Sequence, residues 1–240
     1  MLTSIIIPSL NEEKNLPELL KSIKNQGLGN NELEVIVADA SSIDRTREIS
    51  LIYECKVVGG GLPAKARNNG AECSAGDILI FKDADSPFPS NFLKPALKEF
   101  HERDLDIAGT LHYPIFYGNS FKALRYSLYI DFFENKSMLK AQKSMKPLMA
   151  DCIFARGWVH KLISGFDETL EFGEDCDYAK RAKRAGAKFG ILETCGAIGM
   201  NMRKFEENEL RMLLKNVYYN AGRFFGHEFK RGKTLIKYWK

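Results

Sequence analysis

Four times in the first hundred residues a short apolar run gives way to a helical pattern, and this alternation restricts the fold more than any other feature of the chain. Ser4 to Ile7 is an apolar run stopped by Pro8, as expected of a buried parallel strand. Asn15-Leu16-Pro17-Glu18 then predicts a helix start. Asn caps, Pro sits in the first turn where no donor is needed, and Glu follows three residues after the cap. Leu16, Leu19, Leu20 and Ile23 recur at helical spacing and make one buried face. The pattern repeats with a strand over Leu33 to Val37 and a helix over Asp44 to Ile52. A strand over Lys56 to Val58 precedes a helix over Pro63 to Cys73. Ile78 to Phe81 is a fourth strand, and Phe92, Ala96, Leu97 and Phe100 mark the helix after it. Repeated strand–helix units imply an α/β fold, Rossmann-like, with a mostly parallel sheet and helices on both faces. The later half is less regular. Leu148 to Ala155 reads as a strand, Gly165-Phe166-Asp167-Glu168 as a turn, and Asp175 to Ala185 as a helix closed by Gly186. No repeat and no linker rich in Pro, Gly or Ser divides the chain, so a single domain is expected.

Composition removes several classes. The 240 residues are 45% hydrophobic and 28% charged, which excludes wholesale disorder. No apolar stretch approaches the ~18 residues that span a bilayer. Met1 to Pro8 lacks the basic segment and small-residue cleavage site of a signal peptide, so a cytoplasmic location is expected, extending to the inner face of the membrane. Five cysteines without a CxxC pair fit reduced thiols, and four scattered histidines offer no metal spacing. The net charge of +4 does not point to nucleic acid. It is unevenly spread: residues 203–240 hold ten Lys/Arg against four Glu, leaving 25 basic against 27 acidic residues in 1–202.

In a parallel sheet ligands bind beyond the carboxyl ends of the strands. Asn11 and Glu12 follow the first strand there, Asp39, Ser41 and Ser42 the second, and Asp83-Ala84-Asp85 the fourth. Alternation throws Asp83 and Asp85 to one side, where they can share a hard divalent cation; a solvated turn through Ser86-Pro87 is the competing reading.

Gly61-Leu62-Pro63-Ala64-Lys65-Ala66-Arg67-Asn68-Asn69-Gly70, then Ala75-Gly76-Asp77 and Asp83-Ala84-Asp85, resembles the G-x-x-x-A-R-N-x-G … A-x-G-D … D-x-D stretch of family 2 glycosyltransferases. Ile5 to Glu12 is similar to their opening strand and Asn-Glu turn, and Val35 to Thr46 to their nucleotide-binding loop. Gly165-Phe166-Asp167-Glu168 and Gly173-Glu174-Asp175-Cys176-Asp177, with Arg181 and Gly186, are similar to the later G-F-D-E and E-D motifs. The resemblance covers residues 3 to about 205. It implies the GT-A fold, a nucleoside-diphosphate-sugar donor, Mg²⁺ or Mn²⁺, and inversion at the anomeric carbon. The expected organisation is one domain with a nucleotide-sugar-binding half over 1–105 and an acceptor and catalytic half over 106–202, and the charge distribution adds a basic helical tail over 203–240. Carried over, Asp39 contacts the nucleobase, and Pro8, Leu10, Asn11, Glu12, Ser41 and Lys65 line the nucleotide-sugar pocket with Arg67, Asp83 and Ala84. Asp85, with Asp83, ligates the metal; Asp175 is the catalytic base beside Glu174; and Arg203 meets the departing diphosphate. The acceptor is an alcohol, lipid-linked or small.

Ala38 and Ala40 stand where many relatives have Asp and Gly, and the Q-x-x-R-W motif of processive synthases is absent. A retaining GT-A transferase and a catalytically silent nucleotide-sugar-binding protein remain as alternatives. Arg203 also reads as the plain start of a basic tail. Asp167 and Glu168 are expected to fix a turn, Asp77 to start the fourth strand, and Asp177 with Arg181 to form an exposed i,i+4 pair. Residues 121–146 mix aromatics with six Lys/Arg, and the tail repeats that mixture. Both segments suit either amphipathic helices packed on the domain or a peripheral membrane contact. Nothing in the sequence sets an oligomeric state.

Overall fold

Ile5, Ile6 and Ile7 are all fully buried, so neither face of the first strand meets water and the sheet must be covered on both sides. The computed structural model describes residues 1–29, 31–115, 130, 135–144, 149, 152–170 and 172–202. Along the chain run β1 (Thr3–Ser9), α1 (Leu16–Lys24), β2 (Leu33–Asp39), α2 (Thr46–Ile52), β3 (Lys56–Gly59), α3 (Pro63–Glu72), β4 (Ile78–Lys82) and α4 (Leu93–Glu102). Then follow β5 (Ile107–Ile115), α5 (Lys136–Ala141), β6 (Cys152–Arg156), α6 (Gly157–Leu162), α7 (Glu174–Arg184) and β7 (Phe189–Asn201). The seven strands form one sheet in the order β3-β2-β1-β4-β6-β5-β7. β1 lies parallel to both β2 and β4, and β2 to β3. β6 runs antiparallel to β4 and to β5, while β5 and β7 are parallel. The sheet is therefore mixed rather than uniformly parallel.

Side-chain alternation along β1 sorts the core into two layers. Ile5 and Ile7 join Leu16, Leu19, Leu20 and Ile23 of α1 with Phe92, Phe100 and Phe154. Ile6 joins Ile36, Phe81, Phe166 and Tyr178 on the other face. Each fully buried aliphatic of α1 contributes about 1.5–3 kcal/mol. Three expectations need correction. Asn15 does not cap α1. It stands at the cap position, but its backbone is already helical (φ −98°, ψ −38°), and its amide donates to Glu12 Oε2 at 2.7 Å rather than its oxygen accepting from the first turn. The Asp177–Arg181 pair is half-buried, not exposed: Arg181 Nη1 also donates to the Ile163 carbonyl at 2.6 Å and ties α7 to the end of α6. The strand placed over 148–155 is β6, which ends at Arg156; residues 148, 150 and 151 lie outside the described residues.

β7 carries a local excess of chain. Thr110 faces Leu192 but Leu111 faces Ala197, so residues 193–196 loop out of the ladder. Glu99 of α4 holds that bulge, accepting from the N–H groups of Glu193 and Thr194 and from the Thr194 hydroxyl at 2.6 Å, with Arg103 as its cation. Burial opposes the charge on Glu99, but Thr194 and Arg103 hold its carboxyl below the usual range. Asn135 at the start of α5 is nine-tenths buried and clamps β5 through both the N–H and the carbonyl of His112, at 3.0 and 2.8 Å. Its amide is thereby committed to the backbone of β5.

Gly70 sets the depth of the site helix. A Cβ there would lie 2.4 Å from Ile6 Cγ2, so only hydrogen at this position lets α3 press directly on β1. Gly70→Ala is expected to push α3 outward and destabilise the fold by about 1–3 kcal/mol. A thermal melt checks this, with a melting temperature unchanged from the parent as the contrary outcome.

Candidate active site

The carboxyl ends of β1, β2 and β4 share one rim because these strands are parallel neighbours; Ser9 pairs with Asp39 across β1 and β2. Two loops close over that rim and are stitched together. Asn11 N–H donates to Ser42 Oγ at 2.9 Å, and Asn11 Oδ1 accepts from Ile43 N–H at 3.0 Å. Glu12 N–H donates to Thr46 Oγ1 at 2.8 Å, and Thr46 donates onward to Asp44. Burial alone would raise the Asp44 pKa, but the Thr46 hydroxyl and the N–H groups of Thr46 and Glu13 hold it below the ordinary value. Asn11 and Ser41 take positive φ, 55° and 65°, which these polar residues tolerate at tight turns.

Asp39 is committed to this stitching. Its side chain is fully buried, both oxygens lie 3.3 Å from the Ser42 N–H, and Arg47 approaches to 3.7 Å. Leu10, Asn11, Ser41 and Lys65 are exposed on the rim, and Pro8 and Glu12 are half-buried. Arg203 lies outside the described residues, as do residues 116–129, 131–134 and 145–148 and the whole tail from 203.

The Asp83-Ala84-Asp85 turn alternates as expected. Asp83 and Asp85 are half-buried, while Lys82, Ala84 and Ser86 are buried beneath them. Lys82, wholly buried, was not singled out by sequence reasoning. Its ammonium donates to the Asp83 carbonyl at 3.2 Å and to Ser86 Oγ, and lies over the Phe88 ring. It braces the turn from below. From the far end of the sheet, Asn201 Nδ2 reaches the Asp85 carbonyl at 3.2 Å.

Arg67 joins the two halves. Its Nη2 donates to Asp83 Oδ1 at 2.9 Å and its Nη1 to Glu174 Oε1 at 2.8 Å. Burial opposes its charge, yet Asp83 and Glu174, with Asp175 behind them, hold the pKa above the ordinary arginine value. The guanidinium also stacks over Phe166, 5.4 Å from the ring centre. Next door, Asn68 clamps the 165–168 turn: its amide donates to the Phe166 carbonyl at 3.0 Å and to Glu168 at 2.9 Å, and its oxygen accepts from Phe166 N–H at 2.8 Å. Asp167 caps the same turn through Thr169. Both acids thus fix the turn, and Asn68 is a second residue that sequence reasoning passed over. Gly173, at φ 77°, turns the chain into α7 so that Glu174 and Asp175 open the helix at this rim.

Asp83 and Asp85 supply hard oxygen donors suited to Mg²⁺ or Mn²⁺. Among the described residues no group of three or more His, Cys, Asp or Glu forms a self-contained metal cage. A cation here would therefore take two protein carboxylates and complete its shell from substrate oxygens and water.

Comparisons with known proteins identify the family and the fold. The family model described as glycosyl transferase family 2 matches residues 4–154. The chain belongs to that family. It is 28% identical to glycosyltransferase AglE of Haloferax volcanii over 98% of this chain and 73% of AglE. To poly(ribitol-phosphate) beta-N-acetylglucosaminyltransferase TarS of Staphylococcus aureus it is 32% identical over 43% of this chain, and the match spans only 20% of that relative's length. In three dimensions it superposes on mannosyltransferase PcManGT from Pyrobaculum calidifontis, in complex with GDP-Man and Mn²⁺, with a TM-score of 0.68. That match has 19% identity and covers 82% of this chain and 56% of that one. The fold is thus the GT-A fold of the family.

His160 tests the aromatic floor under Arg67. It packs among Phe81, Phe166 and Tyr178, with Nδ1 3.1 Å from the Tyr178 hydroxyl. Burial, aided by Arg181, pushes its pKa down from 6.5 to about 4. Between these values the unfolded chain takes up a proton that the folded one refuses. Stability therefore falls as pH drops through that window, by about 3 kcal/mol in all. His160→Gln is expected to flatten this dependence between pH 7 and 4 in chemical denaturation; an identical slope in both proteins would contradict it.

Proposed function

We propose that this chain is an inverting, metal-dependent glycosyltransferase that moves a sugar from a nucleoside-diphosphate sugar to an acceptor hydroxyl. The observation that carries the proposal is the gathering of Asp83, Asp85, Glu174 and Asp175 at one rim, with Arg67 between Asp83 and Glu174. Such a rim repels a bare diphosphate and draws in a divalent cation. Asp83 and Asp85 would hold that cation, which would supply Lewis-acid stabilisation of charge on a leaving diphosphate. Family membership supports a nucleotide-sugar donor, and the Mn²⁺ in the mannosyltransferase complex supports the metal.

The chain's own groups divide the remaining work. The stitched loops of residues 10–13 and 41–46 shape the nucleoside side. Asp175 serves as the base, taking a proton from the acceptor hydroxyl as it attacks the anomeric carbon from the face opposite the diphosphate. Glu174 and Asp177 flank it, but each is matched by an arginine, Arg67 and Arg181. Asp175 Oδ1 accepts from the Cys176 N–H at 2.7 Å, which fixes the carboxylate at the helix start.

A thermal-shift panel of UDP-, GDP- and dTDP-sugars with Mn²⁺ or Mg²⁺ identifies the donor, and the anomeric configuration of the product distinguishes inversion from retention. Stabilisation without turnover would mark a silent binding protein. Asp175→Asn is expected to keep nucleoside-diphosphate affinity while transfer falls ~10²–10⁴-fold. Transfer at the parent rate would move the base elsewhere.

The proposal extends to a lipid-linked acceptor at the cytoplasmic face of a membrane, supported by the basic, aromatic-rich segments 121–146 and 203–240. Among the described residues no helix is long and apolar enough to cross a membrane. Co-sedimentation with anionic but not neutral vesicles, lost at high salt, is the expected result. Absence of binding to either vesicle leaves a soluble acceptor.

A further inference from the structure

The resemblance to the family places Arg67 on the nucleoside side of the pocket, but its surroundings are those of a tie rod. The residue is 7% exposed. Its two terminal nitrogens each donate to a carboxylate, and the two partners lie 16 and 107 residues away in sequence. Among the described residues its buried Nε meets no acceptor, so the hydrogen bonds it makes are those two. A guanidinium can serve two separate carboxylates because its donors are fixed in a planar fork; an ammonium on a flexible stem is a single point charge. Removing either Asp83 or Glu174 would leave a buried charge poorly matched, which is costly.

The far end of the tie matters chemically. Glu174 is the first residue of α7 and its side chain is 12% exposed, so it is held rather than offered. Asp175 is the next residue. Upstream, Asn68 pins the 165–168 turn, and the short stretch between that turn and α7 ends in Gly173 at positive φ. Two adjacent residues of α3 thus grip the later half of the chain, one at the turn and one at the helix start. A base must sit within hydrogen-bond reach of the proton it takes, and misplacement by about 1 Å can cost ~10²-fold in rate.

We propose that Arg67 is a positioning residue that acts through Glu174 to hold Asp175 at a set distance from the donor-side carboxylate Asp83. The inference rests on the assignment of Asp175 as base. Arg67 and Glu174 then form one unit whose loss lowers the rate of transfer without loosening the grip on nucleotide.

The test uses the full chain with Glu174→Gln, Arg67→Lys and the double variant. Calorimetry with UDP and with GDP, each with Mn²⁺, reads nucleotide affinity. Steady-state kinetics with the sugar of whichever diphosphate binds reads kcat and KM, and hydrogen exchange reads peptides spanning 82–88 and 172–180. Expected for Glu174→Gln are a diphosphate affinity and donor KM within about threefold of the parent and a kcat lowered ~10–10²-fold. Arg67→Lys should lower kcat similarly, and the double variant should be no worse than the poorer single one, since neighbours in one network are not additive. Both peptides should exchange faster in Arg67→Lys. A tenfold loss of diphosphate affinity in Arg67→Lys, with kcat intact in Glu174→Gln, would overturn the proposal and return Arg67 to the nucleotide. Should Arg67→Lys fail to fold, Glu174→Gln decides alone through its split between kcat and KM. If the parent turns over no nucleotide sugar, the proposed activity fails by itself. The tie is then judged by exchange, and unchanged protection over 172–180 in the folded variant overturns it.

Discussion

One buried guanidinium is the joint on which the two halves of this chain depend. Burying a cation costs several kcal/mol unless it is matched, and Arg67 is matched from both sides, by Asp83 at the end of β4 and by Glu174 at the start of α7. Neither carboxylate can leave without exposing the penalty of the charge it compensates. The reach of Arg67 in turn rests on how closely α3 lies against the sheet, which Gly70 permits by presenting no side chain to Ile6. Below, Phe166 and Tyr178 stack at 4.2 Å and give the guanidinium an aromatic floor. Packing at a strand centre therefore governs charge placement at its end.

The first hundred residues were legible because each of their elements carries its own signal. Apolar runs stopped by Pro8 or by glycines mark strands, and the spacing of Leu16, Leu19, Leu20 and Ile23 marks a helical face. The two-sided burial of β1 and the acidic rim follow from those signals. The later half was less legible for physical reasons. β5 contains Gly109 and Pro114, and β7 contains three glycines and a looped-out segment, so neither shows clean alternation. α5 and α6 have six residues each, too short for periodicity to declare itself. The direction of β6 was invisible, since a run such as Cys-Ile-Phe-Ala reads alike in either sense.

Site residues were legible by type and order, less so by role. Asp83 and Asp85 alternate outward as a strand end requires, and Glu174 and Asp175 open a helix. What a one-dimensional reading missed were partnerships across long sequence gaps. Lys82 looked like the polar end of a strand, and Asn68 like a motif letter. One braces the acidic turn from beneath, and the other pins a loop a hundred residues away. Asn15 erred in the opposite direction: it stands at the cap position of α1, but its side chain turns to Glu12 and makes no cap bond.

The reversal of β6 has a consequence for how this architecture can diversify. β6 runs from the rim end of β4 back to its opposite edge, where Gly157 N–H meets the Asp77 carbonyl at 2.9 Å. The chain must then travel the full height of the sheet, through α6 and the 165–168 turn, before α7 returns to the rim. That return path crosses one face of the sheet, anchored by Val159 and Phe166 in the core, His160 against Tyr178, Arg181 on the Ile163 carbonyl and the Asn68 clamp. Its outer side exposes Trp158 and Leu162. Surface residues along this span are free to vary in kind while the distance between donor rim and helix start stays the same, so a common frame can accommodate many surfaces.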